Sequence, residues 1–177
     1  MNEFSTYEFV VAQKHEGRTK LYRTLAIIGY ILFFVAVAVA LIAIHLPWMV
    51  AVLPIFEWML IFFTWRYLSV EYEYSMTSGT VTFSYIYGGR SRKATLEMPI
   101  KDFQEIAPLD DAAYTRLEAR QIGTEYRFIS SDSAPDMYYA LFEENGELSV
   151  VLFEATQKAL SILRFYNPNT VVTKVSR

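Results

Sequence analysis

Glu57 is the residue whose setting most calls for a chemical role. It lies within the apolar stretch Trp48 to Trp65, WMVAVLPIFEWMLIFFTW. If that stretch crosses a bilayer, the carboxyl sits about nine residues from each end, ~13 Å from either surface by helical rise. An acid at that depth costs roughly 2.5–3.5 kcal/mol on insertion scales, so a function is expected of it. No Lys or Arg stands opposite, in the region of Ala36 to Ala38. Two uses follow. The side chain contacts a membrane-protein partner or a second copy of this chain, or it is a protonated carboxyl bonded to a backbone carbonyl freed by Pro54. A second group is basic: Arg90, Arg92 and Lys93 follow Gly88-Gly89, and Lys14, Arg18 and Lys20 precede the first apolar segment. Such residues suit anionic lipid headgroups, at about 1 kcal/mol each near the surface. They serve equally as a topology signal and for solubility.

Catalysis finds little among the remaining residues. His15 and His45 are the only histidines and are expected on opposite sides of a membrane. Cysteine is absent, which excludes disulfides, thiolate catalysis and thiolate metal sites. No phosphate-binding Gly-rich loop or nucleophile elbow is present. Asp110-Asp111 reads as a helix cap rather than a metal ligand pair, and the tyrosines alternate along strands as core and rim. We therefore assign no catalytic, cofactor or metal residue. The net charge of −3 gives no reason to expect nucleic acid.

The elements that position these residues begin with the membrane segment. The 53% hydrophobic content and mean hydropathy of +0.20 are high for a soluble domain, and the excess lies between Leu25 and Leu68. Thr24 to His45 offers about 22 residues without a polar face, enough to cross ~30 Å of hydrocarbon. The link His45-Leu46-Pro47-Trp48 is so short that a second span must run antiparallel. Spans at about 24–45 and 48–68, within residues 21–69, make a transmembrane hairpin. Lys and Arg flank its open end and are missing from the tip, which puts both termini in the cytoplasm. Trp48 at one end, with Tyr22, Trp65 and Tyr67 at the other, fits two interfacial belts. Ala36-Val37-Ala38 also resembles a signal-peptide cleavage motif, but the long preceding region and the second span argue against cleavage. Gly29, Ala36, Ala40 and Ala43 share one face of the first span, expected to pack on the second span, with dimerisation as the other use. In the arm, residues 1–20, Ser5 and Glu8 form a capping-box pattern, and Tyr7, Val10, Val11 and Lys14 follow at helical spacing. An interfacial amphipathic helix is expected there.

From Val70 the period becomes two. Val70 to Thr77, Val81 to Tyr87, Ala94 to Ile100 and Phe103 to Ala107 read as strands, with turns at Ser78-Gly79 and Gly88-Gly89. A short helix before Gly123, a strand at Tyr126 to Ser130, and a hairpin around Asn145-Gly146 follow. Ala155 to Tyr166 is helical and stops at Asn167-Pro168. Residues 70–168 thus form a cytoplasmic α+β domain, and 169–177 a loose tail. The order of four strands, three strands and a helix resembles pleckstrin-homology-like (PH-like) domains. That resemblance implies an antiparallel β-barrel of about seven strands closed by a C-terminal helix.

Glu71-Tyr72-Glu73-Tyr74-Ser75, Lys101-Asp102-Phe103, Tyr138-Tyr139-Ala140-Leu141-Phe142 and Phe153-Glu154 resemble a family of small two-span membrane proteins from Gram-positive, clostridial-type bacteria. That family has no assigned activity, so the resemblance supplies no functional residues. The expected function is a non-enzymatic interaction module in the cell membrane, binding protein or anionic lipid at the cytoplasmic face. The alternative is an accessory subunit of a transporter or other membrane complex, contacting its partner through Glu57. An enzyme ranks third.

Overall fold

The computed structural model of the chain describes residues 6–14 and 16–172, without the side chain of Arg18. Ser5 of the capping-box pattern, His15 and the tail from residue 173 lie outside the described residues. Those described include eight strands: β1 (Thr6–Ala12), β2 (Val70–Thr77), β3 (Thr80–Tyr87), β4 (Ser91–Pro99), β5 (Glu105–Pro108), β6 (Thr124–Phe128), β7 (Met137–Glu144) and β8 (Glu147–Glu154). The α-helices are α1 (Gly17–Ala43), α2 (Leu53–Trp65), α3 (Asp111–Glu118) and α4 (Gln157–Tyr166). They divide into a sheet unit, Met1–Gln13, Glu71–Ile86 and Arg92–Arg177, and a helical unit, Lys14–Val70 and Tyr87–Ser91.

The sheet unit corrects two expectations. Thr6–Ala12 is a strand, where an amphipathic helix was expected. Tyr7, Phe9 and Val11 alternate inward with Thr6, Glu8 and Val10 outward, and the strand pairs antiparallel with β2 from Thr6↔Thr77 to Ala12↔Glu71. The Phe9 ring stacks on Tyr74 at 4.4 Å. Pairing with a distant strand outweighs the local capping pattern, as tertiary context commonly does. Nor is there one barrel of about seven antiparallel strands. Two four-stranded sheets form, ordered β1-β2-β3-β4 and β5-β7-β8-β6, and β6 pairs with β8 in parallel. The loop from Ile129 to Asp136 makes this arrangement feasible. It carries the chain past β8 to β7, whose tight hairpin then returns β8 alongside β6.

The turns follow their residues. Ser78 and Gly79 take φ of 51° and 85°, and Asn145 and Gly146 take 55° and 83°, the left-handed pairs that suit two-residue hairpins. The second sheet is covered on both sides, so β7 is buried continuously from Met137 to Phe142. On one side α3 sets Ala113 and Leu117 among Leu109, Met137, Leu141 and Leu152. Asp110 caps it, its Oδ1 accepting from the Ala113 amide at 2.7 Å. On the other side Phe83 meets Phe128 and Phe153 at 5.2 and 5.7 Å and ties the two sheets together. Helix α4 buries Ala159, Leu160, Ile162 and Leu163. Asn167 at its end donates to the carbonyls of Ile100 and Phe103 at 3.1 and 2.9 Å. Residues 169–172 are not loose as expected: the Ile106 amide donates to Thr170 O at 2.9 Å, and the Val172 amide to Ile106 O at 2.8 Å.

In the helical unit, Thr19–Ala43 is the one helix among the described residues long and apolar enough to cross a membrane, with mean hydropathy 3.0. It ends in a Schellman motif. His45 is left-handed, its amide donates to Ile42 O at 3.1 Å, and the Leu46 amide donates to Leu41 O at 2.9 Å. The second apolar segment is not one long helix. It runs as a 3-10 turn Pro47–Ala51, the 13-residue α2, and a 3-10 turn Arg66–Leu68. Pro54 lies in the first turn of α2, where its missing N–H is tolerated, and Glu57 leaves the helix unbroken. The Tyr30 and Thr64 hydroxyls bond at 2.6 Å. Tyr30, Phe34, Val37, Ala38 and Leu41 are the half-covered stripe of α1. Gly29, Ala36, Ala40 and Ala43 are exposed, so the small-residue face is not the one that packs on α2.

Candidate functional site

Glu57 is 8% exposed, and neither carboxylate oxygen has a hydrogen-bond partner. Leu53 and Glu57 are the buried residues of α2, and Ile61 and Thr64 continue the same face toward Tyr30. The side chain therefore points into the seam between α1 and α2. The bond to a carbonyl freed by Pro54 is not formed. A partner helix lying against the outer surface of this pair would not meet the carboxyl.

The six basic residues divide between the two units. Arg92 pairs with the buried Glu73 inside the sheet unit, and Lys93 is exposed on β4. Arg90 belongs to the helical unit, its guanidinium 5.3 Å from the Phe62 ring centroid. Lys14 and Lys20 are exposed in that unit, and the side chain of Arg18 is not described. The turn that carries Arg90 is pinned to the chain after α2: the Gly88 amide donates to Ser69 O at 2.7 Å. Gly88, at φ 59°, lies so close that a Cβ there would come within 2.8 Å of Arg66 Cβ.

Two arginines were passed over as site residues. Arg23 donates to Leu68 O at 2.9 and 2.8 Å and to Ser69 Oγ at 2.8 Å, and lies 5.7 Å from the Trp65 ring. It links the start of α1 to the end of the second segment. Arg66 lies 4.7 Å from the Tyr67 ring and donates to a Tyr67 Oη at 2.5 Å. The available signal was Arg66-Tyr67 itself, a cation next to an aromatic residue at the end of an apolar run.

The sheet unit offers a cleft of about 340 Å³ floored by Leu117, Ile122, Val150 and Leu152, with Tyr114 and Arg127 at its rim. Arg127 is engaged by Glu125 and Asp132. Burial raises the Tyr114 hydroxyl pKa. Burial, then the hydrogen bond to Glu105, pushes Tyr139 up to about 12, so neither is activated as a base or nucleophile near neutrality. Among the described residues no cluster of His, Asp or Glu could hold a metal ion.

The chain matches the family model of a bacterial PH-like domain (DUF6106) over residues 4–173. It belongs to that family. No curated protein and no solved structure matches it. The match takes in β1, the helical unit and both sheets, so the helical segment is part of the family's own pattern.

Proposed function

We propose that this protein is a non-enzymatic interaction module anchored in the cell membrane, with a two-pass hairpin holding its PH-like domain at the cytoplasmic face to bind protein or anionic lipid. The observation that carries the reading is the place of the helical segment between β1 and β2, neighbours in one sheet. Both ends of the segment therefore return to the same side of any membrane, so it crosses an even number of times. Helix α1 is long enough for one crossing. The run Pro47 to Leu68 would supply the return: laid end to end, its 13 α-helical residues and two 3-10 turns add up to ~35 Å at 1.5 and 2.0 Å per residue. The Lys/Arg bias toward the open end supports cytoplasmic termini.

Absence of cysteine makes the test direct. Single cysteines are placed at Trp48 and at Lys93, and intact cells are treated with a membrane-impermeant thiol reagent. Trp48→Cys is expected to label from outside and Lys93→Cys only after lysis. Labelling of Lys93→Cys in intact cells would overturn the reading. The accessory-subunit alternative loses support from Glu57, which faces the seam, and would rest on the exposed outer face of α1 instead.

A further inference from the structure

Within the helical unit the charge is one-sided: Lys14, Arg18, Lys20, Arg23, Arg66 and Arg90 face only Glu16 and the buried Glu57. These cations differ in what holds them. Arg23 is used up internally, on the Leu68 carbonyl and Ser69. Arg66 and Arg90 have no carboxylate partner among the described residues. Each instead lies over an aromatic ring, Tyr67 and Phe62, and both are exposed.

The turn that carries Arg90 is held to the chain after Arg66 by the Gly88 amide on Ser69 O, and Gly88 leaves no room for a side chain against Arg66. The rings of Tyr67 and Tyr87 meet at 6.0 Å beside them. A guanidinium held beside an aromatic ring loses little conformational freedom when it binds; Arg66 spends one N–H on the Tyr67 hydroxyl and keeps others to donate. If the apolar segment crosses a bilayer, two such groups at its end present planar donors at the depth of the lipid phosphates, beside tyrosines suited to headgroup level.

Resting on the two-pass reading, we propose that Arg66 and Arg90 form a headgroup site for an anionic phospholipid, with Tyr67 and Tyr87 beside the glycerol. Arg92 and Lys93, in the sheet unit, are not part of it. The mechanism is electrostatic and geometric: the phosphate accepts N–H donors from both guanidiniums, and the acyl chains run along the apolar helices.

The test uses the full chain, purified in a nonionic detergent and offered equal amounts of phosphatidylglycerol and phosphatidylcholine. Native mass spectrometry reads which lipid stays bound. Wild type is expected to retain phosphatidylglycerol preferentially. Arg66→Gln or Arg90→Gln should each weaken that retention about fivefold, and the double variant about 30-fold. Lys93→Gln should leave it unchanged. If Arg66→Gln fails to fold, Arg90→Gln alone decides, because the exposed Arg90 side chain lies over Phe62 and its amide bond to Tyr87 O is kept in the variant. The proposal is overturned if wild type shows no preference, if Lys93→Gln loses as much as Arg90→Gln, or if glycerol phosphate displaces the lipid at equal concentration. None of these results touches the two-pass reading, whose failure is read separately from cysteine labelling.

Discussion

The Tyr139 hydroxyl donates to Glu105 Oε1 at 2.5 Å, and Arg120 holds the other oxygen at 3.2 Å. Burial and that hydrogen bond raise the tyrosine from 10.0 to about 12. The folded state thus holds the proton more tightly than the unfolded chain. The stabilisation is complete below about pH 10 and is lost as pH rises through about 12. Tyr74, buried with its hydroxyl on Phe128 O, is raised in the same direction, first by burial. Tyr139→Phe should therefore cost about 1 kcal/mol at neutral pH and flatten, without abolishing, the fall in stability above pH 10. Denaturant titrations at pH 8 and pH 11 check both. Glu57 gives the opposite expectation. An acid with two unpartnered oxygens in an apolar seam costs more than it returns, so Glu57→Leu should stabilise the helical unit by ~2 kcal/mol. Glu57→Gln should sit close to wild type. Thermal unfolding in detergent reads the order; a Leu variant less stable than wild type would mean that the carboxyl is held by something outside this chain.

At the scale of elements, β1 is where local pattern and structure part. Ser5-x-x-Glu8 reads as a cap, and Tyr7, Val10, Val11 and Lys14 as a helical face. The same segment also alternates aromatic and β-branched residues at period two. What decides between them is β2, whose edge the arm occupies, and that neighbour lies beyond the whole helical segment in sequence. Phe9→Ala removes the ring stacked on Tyr74 and should cost about 2 kcal/mol. Hydrogen exchange should show the loss first along β1 and β2; unchanged protection there would mean the arm contributes nothing to the sheet. The other elements were legible because their signals are local: turns at Ser78-Gly79 and Asn145-Gly146, Asp110 as a cap, and α4 stopped near Asn167. The parallel partner of β6 was not legible, because nothing in Thr124–Phe128 encodes which edge it joins. The same holds for the candidate site. Glu57 stood out by its type in an apolar run, but its direction into the seam depends on helix phase. Arg66 and Arg90 are remote in sequence, and the Gly88 amide bond to Ser69 O that ties their segments together appears only in three dimensions.

The molecule as a whole is a sheet domain whose chain leaves between two adjacent strands, forms a helical segment, and returns to the next strand. The sequence pattern suggests a linear order of arm, membrane anchor and domain. The pairing of β1 with β2 replaces it with a domain interrupted by its helical segment. The family match over residues 4–173 spans this interruption as one pattern.

That interruption has a bearing on biogenesis. The arm is synthesised first, yet its partner strand emerges only after the whole helical segment. On the proposed two-pass reading, β1 waits without a neighbour while the segment enters the bilayer. It finds β2 only if the chain has come back to the compartment it left. A molecule whose second segment failed to return would strand the two on opposite sides, leaving β2 as a bare edge and Tyr74 without its stacked ring. On that reading, closure of the first sheet would act as a check on membrane insertion.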